Sequence, residues 1–174
     1  LLISASKQNG NQHTAAQLRQ AINSSARFIP RYGAYEQGNG LMNVSAAWEL
    51  LKQNIQTVNF TGSVPVNSLL SGFLATPGVG EGIFEREGVF VGGSYQRDYP
   101  FVRTSGPAKS INYNVSWVGN DGTFNSAGAL PMKLNTSNKL TVVVKPKKAG
   151  IHSAILNIDD PSTPGIDFQT LNTV

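Results

Sequence analysis

Apolar residues recur every three or four positions between Thr14 and Ala26 and every second position between Ile111 and Trp117, so the chain passes from helical to strand periodicity along its length. In HTAAQLRQAINSSARFI, Ala15, Leu18, Ile22 and Ala26 fall on one helical face, and Thr14 with Gln17 three residues on makes a capping box at its start. Pro30 closes this region and residues 31–37 read as a loop. Gly38 and Gly40 then supply the backbone freedom to turn into a second helix, with Asn43 placed to cap it and Val44, Ala47, Trp48 and Leu51 as its apolar face. The opening residues, Leu1-Leu2-Ile3-Ser4-Ala5-Ser6-Lys7, have the composition of the last turns of a buried helix. Two helices and a helix end cannot cover their apolar faces by themselves, so residues 1–54 call for a larger partner such as a sheet.

From Ile55 the period becomes two. Ile55 to Val64 reads as a first strand, and Asn67 to Gly80, with Leu69, Leu70, Phe73 and Leu74 but no alternation, reads as a loop or short helix covering a core. The alternative for that segment is an exposed docking patch. Further strands are expected over Gly82–Gly92, Tyr95–Thr104, Ser110–Val118, Lys139–Lys145 and Gly150–Ile158, with Ile166–Val174 as a last edge strand. In SINYNVSWV, Ile111, Tyr113, Val115 and Trp117 share one face and Asn112, Asn114 and Ser116 the other, the pattern of a strand with one wet side. The pattern therefore predicts an α+β chain, a short helical segment over residues 1–54 followed by an antiparallel β-sandwich over residues 55–174.

Composition narrows the chemistry. Only 14% of residues are charged, and the net charge of +4 is spread thinly, with five basic against two acidic residues up to Lys52 and nine against eight beyond it. That is a weak field for nucleic acid, and the densest cluster, Lys145-Pro146-Lys147-Lys148, reads as a solvated turn without an aromatic stacking platform. There is no cysteine, which removes thiol catalysis, disulfides and Cys-type zinc sites together. No apolar run reaches the roughly 20 residues needed to span a membrane. Low charge and abundant Asn, Ser and Thr suit a secreted bacterial protein; Asn23, Asn43, Asn59, Asn114 and Asn135 begin N-x-[ST] triplets that chance supplies in such a chain.

The candidate active groups do not assemble into a motif. The Gly38-x-Gly40 pair lacks the preceding strand, the third glycine and the acidic residue about 20 positions later that a dinucleotide fingerprint needs; Asn59 and Phe60 stand there instead. His13 and His152 lack a strained nucleophile turn or an H-E-x-x-H partner, and both read as structural. Asp159, Asp160 and Asp167 could hold a weak calcium ion, but capping the turn around Pro161 and Pro164 is the stronger reading. Glu85 and Glu87 share a strand face that reads as solvated, and with Glu81 they make an ordinary acidic stretch, not a glycosidase pair. No catalytic, cofactor-binding or metal-binding residue is assigned.

The first third of the chain resembles the C-terminal end of the catalytic domain of subtilisin-like serine peptidases. The resemblance rests on Leu1-Leu2-Ile3-Ser4-Ala5 as the tail of a central helix and on the amphipathic helix from Thr14 to Ala26. Its most specific part is Gln37-Gly38-Asn39-Gly40-Leu41-Met42-Asn43-Val44 with Ala47, a turn entering the last helix. The remainder resembles the fibronectin-like β domain that follows the catalytic domain in larger members, and GIFEREG at Gly82–Gly88 is similar to the segment in enzymes related to tripeptidyl-peptidase II. The later pattern of Trp117, Leu130, Leu140 to Lys145, Pro146, Gly150, His152 and Asp159 is similar to the same region.

The resemblance implies that the catalytic Asp, His, Ser and oxyanion Asn all lie upstream of Leu1, so that neither His13 nor His152 is catalytic. It further implies that this chain alone is inactive, and that its partners are the N-terminal catalytic domain, the peptide substrate of the intact enzyme, and another copy of itself if it oligomerises. No cofactor is implied. The rival expectation is an extracellular β-sandwich module binding polysaccharide or protein through Tyr32, Tyr35, Tyr95, Tyr99 or Trp117, although Trp117 alternates with core residues.

Overall fold

Capping selects where the helices begin. The structure, a computed structural model, describes residues 1–174 and places α1 at Leu2–Gln8, α2 at Ala15–Ser25, α3 at Ala34–Gln37 and α4 at Val44–Lys52. The capping box at α2 forms as its residues dictate: Thr14 Oγ1 accepts from Gln17 N at 3.2 Å and Gln17 Oε1 accepts from Thr14 N at 2.8 Å. Asn43 Oδ1 accepts from Ala46 N at 3.1 Å and starts α4. The single turn of α3 replaces the loop expected over residues 31–37. Its start is Gly33, whose N–H is held by Glu36 Oε2 at 2.7 Å, so no Ser, Thr, Asp or Asn announces it.

Leu2, Ala21, Ala47, Leu51 and Ile55 form the buried cluster of the helical segment, with Leu18, Ile22, Val44 and Trp48 partly buried around it. The face of α2 is therefore rotated from the expected one. Ala21 points inward, where its small side chain allows α2 and α4 to approach closely, while Ala15 is exposed. Ile55 belongs to this cluster too, which corrects the expected strand from Ile55 to Val64: the first strand begins five residues later.

The strands are β1 Phe60–Gly62, β2 Val64–Asn67, β3 Val79–Gly80, β4 Phe84–Glu85, β5 Tyr95–Arg103, β6 Ile111–Val118, β7 Phe124–Ser126, β8 Ala129–Met132, β9 Ser137–Val144, β10 Ser153–Asp159 and β11 Phe168–Thr173. They form two sheets, one ordered β1-β5-β9-β7 and the other β3-β2-β4-β11-β10-β6-β8. All pairs are antiparallel except those of β4, which runs parallel to both β2 and β11. The fold is the expected α+β arrangement with an antiparallel β-sandwich. Its core is made by Tyr99 and Phe101 of β5 and Leu140, Val142 and Val144 of β9 against Ile111, Tyr113 and Val115 of β6 and Ala154, Leu156 and Ile158 of β10.

Several expected elements shift. The long strand over Gly82–Gly92 shrinks to Phe84–Glu85, and β7 and β8 appear where no strand was expected, in short stretches on either side of Gly128. The C-terminal strand β11 lies inside its sheet, between β4 and β10, and is not an edge. Residues 68–78 do not cover the core: Leu69 and Phe73 are each 88% exposed.

Strand β10 is buried along Ser153–Ile158 on both faces, because one face enters the core while Ile155 and Asn157 are covered from outside by the helical segment. Its run Ser-Ala-Ile-Leu-Asn-Ile is the near-continuous apolar stretch that two-sided burial selects. The sandwich thus meets part of the helical segment's need for a sheet.

Glu85 overturns the expectation of a solvated strand face. It is 4% exposed, and its carboxylate takes a two-pronged bond from Arg97, with Arg97 Nη2 donating to Oε2 at 2.9 Å and Nε donating to Oε1. The pair links β4 of one sheet to β5 of the other. The Arg97 side chain keeps 22% exposure and the Glu85 side chain 1%, so the two partners are unequal when stranded. Arg97→Ala should cost about 3 kcal/mol in chemical denaturation because it leaves the acid buried without its cation, whereas Glu85→Gln should cost clearly less. Equal losses would show that water reaches both groups alike.

Candidate functional site

The Gln37-Gly38-Asn39-Gly40 stretch is a clamp. The side-chain amide of Gln37 accepts from Ile29 N at 2.9 Å and donates to the Ile29 and Tyr32 carbonyls, both at 2.8 Å, closing the loop that precedes α3. Gly40, at φ +108°, lies so close to the 27–28 backbone that a Cβ there would sit 2.4 Å from Arg27 O. That approach lets Arg27 and Leu41 exchange two backbone hydrogen bonds of 2.8 and 2.9 Å, which ties the end of α2 to the start of α4. Asn43 then caps α4. Gln37, Gly40 and Asn43 thus each serve the backbone of this turn.

This turn holds open an apolar groove of about 530 Å3 between α1, α2 and residues 42–44. Leu1, Ile3, Leu18, Ile22, Met42 and Val44 line it, with Arg19 and Asn23 as the polar members. Leu1 is 92% exposed, Ile3 58% and Met42 55%, so nothing in this chain covers it. Ala15, Leu18 and Ile22, three of the four residues on the expected apolar face of α2, line this open trough.

The groove is presented at a fixed angle, because the helical segment is seated on the sandwich at two glycines. Gly119, at φ +72°, receives the ring of Phe28, whose Cζ would be 2.4 Å from a Cβ there, and Gly165, at φ +80°, receives Ile55. Hydrogen bonds hold the same joint: Ile166 N donates to Ser24 Oγ at 2.8 Å and Tyr35 N donates to Ser153 Oγ at 3.0 Å.

His152 and the acids of the 160–167 turn are tied into local structure. His152 Nδ1 meets Asp121 Oδ2 at 2.5 Å and Nε2 meets Lys148 O at 2.9 Å, so the nitrogen that would take a serine proton already faces a carbonyl. Partial burial pulls the His152 imidazole down, but these bonds outweigh it and raise it above its ordinary value. Its acidic neighbour, Asp121, lies 31 residues earlier in the chain. His13 rests edge-on against Trp48, 6.5 Å between rings, at the start of α2.

Asp160 Oδ1 accepts from Ser162 N at 2.9 Å and from Ser162 Oγ at 2.7 Å, and Asp167 Oδ2 accepts from Asp160 N at 2.7 Å, so both acids fasten the turn around Pro161 and Pro164. No three acidic or histidine side chains group as metal ligands. Burial raises the Asp167 carboxyl to about 6; the bond from Asp160 N opposes this, and the charges of Asp159 and Asp160 add to it.

The aromatic residues of the rival reading are mostly inside. Tyr99 is fully buried, stacked on Phe101 at 5.3 Å, and shares a hydrogen-bond knot with Ile83 N and Asn172 Oδ1. Trp117 stacks on Phe124 at 5.3 Å and donates to Ser126 Oγ at 3.0 Å. Tyr95 accepts from Phe90 N at 3.0 Å, which leaves only Tyr32 and Tyr35 of the five as exposed. Sequence reasoning missed Arg103, fully buried at the end of β5, whose guanidinium donates to the carbonyls of Ser105, Pro107 and Lys109 at 2.7–3.0 Å and gathers the loop before β6. Its signal was position: Tyr99, Phe101 and Arg103 alternate inward along one strand.

Similarities to known proteins cover both parts of this assembly. A family model described as the Ig-like domain in actinomycete serine proteases matches residues 61–174. Pyrolysin from Pyrococcus furiosus is 25% identical over 199 residues, an alignment covering 100% of this chain and 13% of pyrolysin. The crystal structure of tripeptidyl peptidase 2 superposes with a TM-score of 0.72 at 21% identity over 99% of this chain and 14% of that one. The fold likeness therefore runs through the helical segment as well as the sandwich, and the chain spans a small part of each of these proteins.

Two outcomes test the site's construction. Gly40→Ala should destabilise the chain by more than about 1 kcal/mol, since a methyl group meets backbone at a positive φ; a melting temperature equal to the parent's would refute the clamp. For Asp167, the folded state keeps its proton to about pH 6 while the unfolded chain releases it near the ordinary 3.8. Its contribution is fully present below that lower value and is lost as pH rises through about 6. Asp167→Asn should flatten this part of the pH profile of the denaturation midpoint, and an unaltered profile would contradict the assignment.

Proposed function

The chain belongs to the family of Ig-like domains in actinomycete serine proteases, and on that premise we propose that it is the noncatalytic C-terminal portion of a subtilisin-like serine peptidase. In this reading residues 1–54 are the last helices of the catalytic domain and residues 55–174 the β domain that follows it. The observation that carries the proposal is the apolar groove between α1, α2 and Met42, which is open here and clamped in a fixed orientation on the sandwich. Such a face fits the back of the catalytic sheet.

Its work is support. A nucleophile is held to a fraction of an ångström only if the elements behind it cannot shift, and a helical layer bolted to an independent β core supplies that rigidity. The β domain could in the same way set subunit contacts or restrict access to the cleft. The parent enzyme would be exported, and would cleave peptide bonds through a serine acyl-enzyme whose nucleophile, base and oxyanion donors all come from outside this chain.

The 174-residue chain should remain unlabelled by a fluorophosphonate probe, while the polypeptide extended upstream through the catalytic segment should be labelled and should hydrolyse peptide substrates. In that longer enzyme, Leu18→Asp or Met42→Asp should lower the temperature of inactivation by several degrees, as expected for about 2 kcal/mol lost from a buried apolar contact. Labelling of the short chain, or indifference of the long one to both substitutions, would refute the proposal.

A further inference from the structure

A second set of exposed apolar residues lies far along the chain from the helical groove, and strand direction brings its members together. Strands β2 and β4 are parallel, with Asn67 beside Glu85, so the loops that follow them leave from the same end of the sheet. Strand β11 runs parallel to β4 and ends there too, with Thr173 beside Phe84 and Ser153 of the antiparallel β10. The connection from β9 to β10 therefore crosses that end as well. Gly92 N donates to Pro146 O at 2.9 Å, tying the loop after β4 to this connection.

What these loops carry is unusual for a free surface. Leu69, Leu70 and Phe73 are 88%, 66% and 88% exposed, and Phe90, Val91 and Ile151 are 70%, 55% and 60% exposed. The loop bearing the first three is not slack: residues 71–73 form a 3-10 turn, and Gly78 N donates to Ser71 O at 2.8 Å, which closes its base. Residues 68–78 contain no charged side chain. The same end of the sheet carries the exposed Arg86, Lys145, Lys147 and Lys148, and Arg86 and Lys148 share a cleft with Phe90 and Val91. On the acidic side, Glu85 is tied to Arg97 and Asp121 to His152, so Glu87 is the exposed acid without such a partner.

We propose that this end of the β-sandwich docks on an anionic phospholipid surface, inserting Leu69, Leu70, Phe73, Phe90 and Val91 while Lys145, Lys147, Lys148 and Arg86 meet the headgroups. Exposed apolar side chains on loops at a sheet end that also carries four cations match the two components of peripheral membrane binding: apolar insertion and attraction to anionic lipid. A protein partner would be favoured by a flat or concave patch with satisfied polar groups at its rim, whereas here the apolar residues stand out from the ends of separate strands. The surface is separate from the helical groove, so it stands apart from the peptidase reading.

The test is sedimentation of the 174-residue chain with large vesicles of phosphatidylcholine alone or of phosphatidylcholine and phosphatidylglycerol in equal parts. Binding should be about tenfold tighter to the anionic vesicles and should weaken severalfold between about 0.1 M and about 0.5 M salt. The combined variant Leu69→Ser, Leu70→Ser, Phe73→Ser should lose about tenfold in affinity with an unchanged melting temperature, since these side chains are already in water. Lys147→Glu with Lys148→Glu should abolish the preference for anionic lipid. No sedimentation with anionic vesicles, or equal binding to both lipids, would overturn the proposal. So would binding that survives the loop variant but is lost with Ile3→Ser and Met42→Ser, which would assign it to the helical groove. Loop-dependent self-association in place of vesicle binding would show that the patch meets protein.

Discussion

The seating of Phe28 on Gly119 and of Ile55 on Gly165 is the contact on which the rest of the arrangement depends. A helical segment of this size cannot bury its own apolar residues, and a two-sheet sandwich has no intrinsic need of helices on its outer face. Two positions without a side chain let an aromatic ring and an isoleucine approach the sheet loops, and the hydrogen bonds at Ser24 and Ser153 fix the distance. Once that joint is closed, Ile155 and Asn157 of β10 are sheltered, and the apolar groove faces away from the sandwich in a direction the chain cannot alter cheaply.

The side chains that might have performed chemistry are spent on holding this geometry. The His152–Asp121 pair has the composition of two-thirds of a catalytic triad, but the second imidazole nitrogen is turned to a backbone carbonyl. The acids of the 160–167 turn bind backbone N–H groups and a serine hydroxyl, and Glu85 is committed to Arg97 across the two sheets. Such pairings satisfy polar groups taken out of water, and they leave those side chains little freedom for a reacting partner. Two exposed apolar sets remain, in the helical groove and at the loop tips, and theirs is the chemistry of contact.

Much of this was legible in the residues. Thr14 with Gln17 and Asn43 with Ala46 mark helix starts because capping is settled within one turn, by side chains three residues from their targets. The alternation from Ile111 to Trp117 marks a strand for a similar reason: the period of a strand is a local property. By contrast, Ala21 displaced Ala15 on the inner face of α2 because which stripe of an amphipathic helix is buried depends on the helix it meets. Glu85 became a core residue because β4 was drawn between β2 and β11, and nothing near position 85 encodes that pairing.

Local order, then, was determined by the sequence alone: the helix caps, the clamp glycines, the period of the long strands, and the resemblance carried by Gln37 to Val44. Tertiary structure alone decided which faces are covered. Burial is a relation between segments distant in the chain, as between Ile55 and Gly165 or Glu85 and Arg97, whereas hydrogen-bonded turns and side-chain periodicity are completed within a few residues. Leu69, Leu70, Phe73 and Leu74 read as a core cover or as a docking patch until the parallel course of β2 and β4 brought their loop to the same exposed end as Phe90 and Val91.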